Sequence, residues 1–267
     1  MSSEVSPAKV PIFILCGGFG TRFREQTEFR PKPMIEIGGR PILWHIMRTY
    51  AKYGFCRFVV CLGYRGKVIR EYFLHYASMN SDFTVGLASN ELTTHTIDHT
   101  DDWSVTLAET GLETMTGARI ARATAKYLGD AEHFGVTYGD GVTDADLAKE
   151  FAFHLQHERL GTVLGVNPPS RFGELQLNGD EVVAFDEKPE FHEKWINGGF
   201  MFFRRGFREY LSDATDCVLE RTPLVSLADD GQLSLFRHHG FWHCMDTQRD
   251  YDDLNRLWRE GTAPWKC

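Results

Sequence analysis

The chain has 267 residues, 42% of them hydrophobic and 25% charged, and a net charge of −8 at neutral pH. That length supports a sizeable core, in one large domain or two small ones. The acidic balance argues against nucleic acid or an anionic membrane surface as a partner, and any bound phosphate must be met by a local cluster of cations.

In chain order, residues 1–9 are polar and read as a flexible tail. The apolar run at 10–15 is too short for a signal-peptide core and reads as a buried strand, with a glycine-rich loop after it. Pro41 opens a helix in which Ile42, Leu43, Ile46, Met47 and Tyr50 recur at helical spacing, and Gly54 closes it. A second strand follows at 55–62. Residues 67–76 form an amphipathic helix carrying Val68, Ile69, Tyr72, Phe73 and Tyr76. Short strands are predicted at 83–87 and 105–107, a helix at 115–128, and a strand at 134–138 that ends on Gly139-Asp140-Gly141. This alternation belongs to a mostly parallel sheet covered by helices. The second half differs: strands at 172–177, 182–185 and 199–203 have little helix between them, which predicts an antiparallel, β-rich part. Helices resume near 207–211, 219–229 and 251–259.

The six cysteines contain no CxxC pair and no zinc spacing, so they read as reduced thiols of a cytoplasmic enzyme. His238, His239 and His243 lie close to Asp246, but the HxxxH spacing of His239 and His243 falls in a segment not read as helix, and a transition-metal site is not supported. No run of residues approaches the length of a membrane span.

The chemistry concentrates after the first strand, in Leu15-Cys16-Gly17-Gly18-Phe19-Gly20-Thr21-Arg22, with Pro31-Lys32-Pro33-Met34 downstream. The glycines let the backbone approach a ligand and turn its N–H groups inward. Arg22 offers a planar fork to phosphate and Lys32 a compact charge, with Arg24 and Arg30 nearby. The spacing fits neither a dinucleotide-binding GxGxxG nor a GK[ST] phosphate loop. Asp140, between two glycines at a strand end, and Asp246 are carboxylates suited to a hard divalent cation. Asp144 and Asp146 sit at the start of the next helix and fit capping better.

Taken together, GGxGTR and PKPM resemble the signature of the sugar-1-phosphate nucleotidylyltransferases. The likeness continues through Glu36-Ile37-Gly38-Gly39-Arg40-Pro41, Gly63-Tyr64-Arg65-Gly66, Met115-Thr116-Gly117-Ala118-Arg119, Thr137-Tyr138-Gly139-Asp140-Gly141, Arg171-Phe172-Gly173, Glu187-Lys188-Pro189, Asn197-Gly198-Gly199 and Met245-Asp246-Thr247. It is strongest toward the branch that acts on CTP and glucose 1-phosphate. Cys16 stands where the family usually has alanine, and Ala118 where glycine is common.

The resemblance implies a Rossmann-like, mostly parallel α/β sheet flanked by helices, with a smaller β-rich sugar-binding part. It makes residues 10–267 a single domain, with 10–145 mainly nucleotide-binding and 160–250 mainly sugar-binding. It implies a nucleotide site of Leu15, Gly17, Gly18, Gly20, Thr21, Arg22, Lys32, Asn90, Glu91, Arg119 and Gly139. Sugar contacts fall to Asp140, Glu187, Lys188, Asn197 and Gly198, Mg²⁺ to Asp140 and Asp246, and catalysis to Arg22, Lys32 and Lys188. Substrates would be CTP and glucose 1-phosphate, in a homo-oligomer without nucleic acid or membrane partners. UTP or dTTP in place of CTP, or another sugar or small-molecule phosphate, remain open as substrates. A non-catalytic sensor would be expected to lack Lys32, Asp140 or Asp246, and a metal-dependent glycosyltransferase leaves Pro31-Lys32-Pro33 unexplained.

Overall fold

The structure is a computed structural model that describes residues 5–95, 101–168, 174–186 and 194–266. Seven strands build its main sheet: β1 (Pro11–Cys16), β2 (Arg57–Leu62), β3 (Ser104–Glu109), β4 (His133–Tyr138), β5 (Gly161–Val166), β6 (Ile196–Arg204) and β7 (Leu233–His238). Their spatial order is β7-β5-β6-β4-β1-β2-β3. Strand β1 runs parallel to both β2 and β4, β2 parallel to β3, and β5 parallel to β7. Only β6 runs against its neighbours, β4 and β5.

This order positions the site. The chain steps outward from β1 through β2 to β3, then returns to lay β4 on the other side of β1. Connections leaving β1 and β4 therefore part in opposite directions, and a crevice opens beyond their carboxyl ends.

Helices α1 (Ile42–Ala51), α2 (Gly66–Leu74), α3 (Thr116–Tyr127), α4 (Leu147–Gln156), α5 (Thr222–Asp229) and α6 (Gln248–Arg259) accompany the sheet. Every residue of β1 is buried, which explains its unbroken apolar run: both sheet faces are covered. Alternate side chains serve opposite cores. Ile12 and Ile14 join Ile42, Ile46 and Tyr50 of α1, whereas Phe13 and Leu15 join Ile120 and Ala123 of α3.

Several expectations need correction. The strand predicted at 83–87 is Phe83–Gly86, and it pairs with Glu91–Thr94 in a separate hairpin instead of entering the sheet. Its β-branched and aromatic content favours a strand but not a buried one: Phe83 is 46% exposed and Leu87 is 88% exposed. The tail is not free over residues 5–9. Val5 packs on the core, Pro7–Lys9 forms a 3-10 turn, and the Lys9 carbonyl accepts a bond from Arg57 at 3.2 Å. Strands β5 and β7 were not anticipated and widen the main sheet; the antiparallel excursion is the hairpin Glu174–Asn178 with Glu181–Asp186. The helix expected at 207–211 is a 3-10 segment, Arg205–Tyr210.

Candidate active site

The glycine loop owes its form to one buried arginine. From α3, Arg119 sends its guanidinium under the loop, to the carbonyls of Gly17 at 3.1 Å, Leu62 at 2.9 Å, Gly111 at 2.7 Å and Leu112 at 3.1 Å, and to the Thr110 hydroxyl at 2.8 Å. A Cβ at residue 17 would stand 2.2 Å from the Arg119 Cζ, and one at 63 would stand 2.5 Å from a guanidinium nitrogen. Glycine at these positions makes room for the clamp. Gly20 adopts a φ of +64° and is held by the Thr27 hydroxyl, which donates to its carbonyl at 3.0 Å. Of the three loop glycines only Gly18 has open space where a side chain would stand, so a ligand can reach the backbone there. Arg119, which the resemblance places in the nucleotide site, lines the larger chamber while its Nη groups hold the loop from beneath.

The crevice divides into two chambers, of about 480 and about 320 Å³. Leu15, Gly17, Gly18, Gly20, Thr21 and Lys32 line the larger one, as does Gly139 from across the crevice. Asn197, Gly198 and Asp246 line the smaller one, and Tyr138, Asp140 and Glu220 face both. Arg22 lies in the turn Thr21–Phe23 at the mouth of the glycine loop.

A short ribbon brings the two aspartates together. Gly141–Thr143 pairs antiparallel with Trp242–Cys244, and the Met245 N–H donates to the Asp140 carbonyl at 2.8 Å. Asp246 is not a helix cap: Thr247 caps α6 in a reciprocal box with Asp250, which leaves the Asp246 carboxylate to the crevice. Lys32 arrives from the other side, in a 3-10 turn entered from Pro31. Its Nζ donates to Asp140 Oδ2 at 2.6 Å and to Asp246 Oδ1 at 2.5 Å. Burial works against the charge on Lys32, but the two carboxylates outweigh it and hold its pKa above the ordinary lysine value.

Two hard oxygens thus converge on one cationic position at the wall between the chambers. That donor set suits an ion such as magnesium, which takes one or two carboxylates and completes its shell with phosphate oxygens and water. Among the described residues no group of three or more histidine, cysteine or carboxylate side chains is arranged to hold a metal ion. The Cys244 thiol donates to Asp246 Oδ2 at 3.5 Å; burial and the two carboxylates push it up to about 12, so it stays protonated. The neighbouring histidines are engaged elsewhere, His243 with Asp250 and His238 with Asp144. Asp146 caps α4 as expected, whereas Asp144 accepts from the Phe241 N–H at 2.7 Å.

Asn90 lies in the exposed turn of the Phe83–Gly86 hairpin and Glu91 opens its second strand, and neither lines a chamber. The third strand of the sheet is β3. The segment after it, carrying Leu112, Thr114 and Met115, is the one that lines the larger chamber. Glu187, Lys188 and the Arg171-Phe172-Gly173 run lie outside the described residues. Sequence reasoning passed over Tyr138 and Glu220. Tyr138 sits inside a motif that was read for its aspartate, and Glu220 has no motif of its own.

An open α/β sheet with a glycine loop, a clamp beneath it and a lysine between two aspartates defines a nucleotide-handling enzyme of the phosphoryl-group type. Residues 12–223 match the family model for nucleotidyl transferases, and the chain belongs to that family. Over 254 residues it is 45% identical to the glucose-1-phosphate cytidylyltransferase of Salmonella typhimurium, covering 95% of this chain and 97% of that one. Among solved structures, HddC from Yersinia pseudotuberculosis superposes with a TM-score of 0.65 at 21% identity, over 93% of this chain and 99% of that one. The inositol-1-phosphate CTP transferase from T. maritima superposes with a TM-score of 0.62 at 16% identity, over 97% and 100% of the two chains. These two likenesses concern the fold. No helix among the described residues is long and apolar enough to cross a membrane.

Proposed function

We propose that the protein transfers a cytidylyl group from CTP to α-D-glucose 1-phosphate, giving CDP-glucose and pyrophosphate. The observation that carries this reading is the Lys32 ammonium held between Asp140 and Asp246 at the wall shared by the two chambers. A nucleoside triphosphate in the larger chamber and a sugar phosphate in the smaller one would meet at that wall. The relatedness to the Salmonella enzyme supports the choice of substrates.

The reaction is an in-line displacement. A phosphate oxygen of glucose 1-phosphate forms a bond to the α-phosphorus of CTP, the bond from that phosphorus to the bridging oxygen breaks, and the electron pair leaves with pyrophosphate. The nucleophile is already an anion at neutral pH, so no general base is required. The protein's task is to bring anions together and stabilise the charge of the transition state. Lys32 and Lys188 flank the reacting phosphoryl groups, and Arg22 and the backbone N–H groups at Gly18 hold the leaving phosphates. Asn197 and the Gly198 backbone, with Glu187, accept and donate to the sugar hydroxyls. Mg²⁺ held by Asp140 and Asp246 supplies neutralisation of phosphate charge when bound. Leu112 and Met115, 55% and 45% exposed in the larger chamber, offer an apolar face for the base.

The test is pyrophosphate release from CTP, UTP, dTTP, ATP and GTP in turn, each with glucose 1-phosphate, with and without Mg²⁺. CTP with Mg²⁺ is expected to give the highest kcat/KM by at least tenfold. Faster turnover of another triphosphate would move the assignment to another branch of the family, and no turnover of any would end it.

A further inference from the structure

The wall between the chambers contains a carboxylate that the mechanism above does not use. Glu220 precedes α5, in a segment sewn to the start of α3. The Met115 N–H donates to the Thr215 carbonyl at 2.8 Å, the Ala118 N–H to Cys217 at 3.1 Å, and the Leu219 N–H to the Thr116 hydroxyl at 2.9 Å. The fit is close, since a Cβ on Gly117 would stand 2.6 Å from the Cys217 Sγ. This stitching delivers Glu220 to the mouth of both chambers. One of its oxygens accepts from the Thr116 hydroxyl at 2.8 Å and the other from the Tyr138 hydroxyl.

Tyr138 is in turn fitted to the sugar-side wall. A Cβ at residue 199 would lie 2.4 Å from its ring, so the ring packs directly against Gly199, which has a φ of +80°. The Asn197 side chain accepts from the Gly199 N–H at 2.8 Å, and Trp242 donates to the Gly198 carbonyl at 2.7 Å. Ring, turn and indole form one connected surface, and Glu220 ties it to the start of α3 through the Thr116 hydroxyl.

We infer that Glu220 is a positioning residue for the sugar phosphate: it fixes the Tyr138 phenol and, through that ring, the Asn197–Gly199 wall. The inference rests on reading the smaller chamber as the sugar site. A carboxylate accepting two charge-assisted bonds orients a ring more firmly than a neutral amide can, because both of its oxygens accept.

The test compares Glu220→Ala, Glu220→Gln, Tyr138→Phe and the Glu220→Ala/Tyr138→Phe double variant with wild type. Initial rates are measured with each substrate varied at saturation of the other, alongside thermal midpoints. Glu220→Ala and Tyr138→Phe are each expected to raise KM for glucose 1-phosphate roughly tenfold, about the worth of one charge-assisted bond. KM for CTP should stay within about threefold. Glu220→Gln keeps the shape and one acceptor, so it should fall between wild type and alanine. The double variant should be no worse than the poorer single variant, because both act through one contact. A lower midpoint with unchanged KM for glucose 1-phosphate would make Glu220 a loop fastening only and overturn the inference. Multiplying losses in the double variant would overturn it as well, by giving Glu220 a contact of its own. Wild-type protein inactive with CTP and glucose 1-phosphate would remove the functional reading itself, a result separable from either of these.

Discussion

Buried ionisable groups are treated in opposite ways on the two sides of this sheet. Beyond the carboxyl ends of β1 and β4, Lys32 keeps its charge because Asp140 and Asp246 bond to it from 108 and 214 residues away. Where α4 packs on the sheet, Glu150 is fully buried and neither of its oxygens meets a hydrogen-bond partner among the described residues. Burial raises its pKa well above the carboxylate range. Beside it, His154 is driven down to about 3 by burial and by the neighbouring His133, His157 and Arg204. The His154 ring bonds to the His133 ring at 3.2 Å and to the Thr162 hydroxyl at 2.9 Å. Charge is thus retained at the crevice, the proposed meeting point of charged substrates, and it is removed where the core has only packing to do.

The largest expected effect breaks the first side. Lys32→Met should lower kcat by roughly a thousandfold, since preorganised charge at a transition state is commonly worth that much. The thermal midpoint should change by no more than a few degrees, and pyrophosphate release with circular dichroism checks both. Next comes Arg119→Ala, which leaves the carbonyls of Gly17, Leu62, Gly111 and Leu112 without their buried donor. A stability loss of about 2–4 kcal/mol is expected from denaturant titration, together with a raised KM for CTP. Arg119→Lys should recover only part of the loss, because one ammonium cannot span that fork.

Two smaller effects belong to the neutral side and have opposite signs. His154 and His45, the latter lowered to about 4 by burial despite its bond to the Ile37 carbonyl, resist protonation in the fold. Their unfolded counterparts take up protons near pH 6.5. The unfolded state therefore binds more protons between about pH 6.5 and 4, and stability falls as pH falls through that window. The loss should be about 1.4 kcal/mol per histidine by pH 5.5, and His154→Gln should flatten that limb of a stability–pH curve. Glu150 has a raised pKa, so its contribution is present below about pH 4.5 and is lost as pH rises. Glu150→Gln should therefore gain stability relative to wild type as pH is raised from 5 to 8. A gain that is constant across that range would contradict its assignment as a buried, neutral acid.

Much of the fold was legible where local pattern and tertiary role agree. The apolar run of β1, the helical spacing of Ile42 to Tyr50 and the Gly54 stop, with a φ of +85°, all appear as read. The hairpin at residue 83 misled because a strand pattern carries no statement about which sheet the strand will join. Strands β5 and β7 escaped because Gly161 and Gly165 interrupt one and Ser234 and Arg237 the other. At the site, the glycine loop, Lys32 and both aspartates could be found because the chemistry limits which residues will serve. The loop-holding bonds of Arg119 were not legible: its carbonyl partners belong to three separate chain segments, and main-chain acceptors leave no mark in a sequence. Glu220 could not be found, since its meaning comes from Tyr138, 82 residues away.

The most direct test of the proposal that Lys32, Asp140 and Asp246 receive a metal–triphosphate is Mn²⁺ binding followed by electron paramagnetic resonance, with and without CTP, in wild type and in Asp246→Asn. Wild type should bind Mn²⁺ at least tenfold more tightly when CTP is present, and Asp246→Asn should lose that enhancement. Equal enhancement in both proteins would contradict the account.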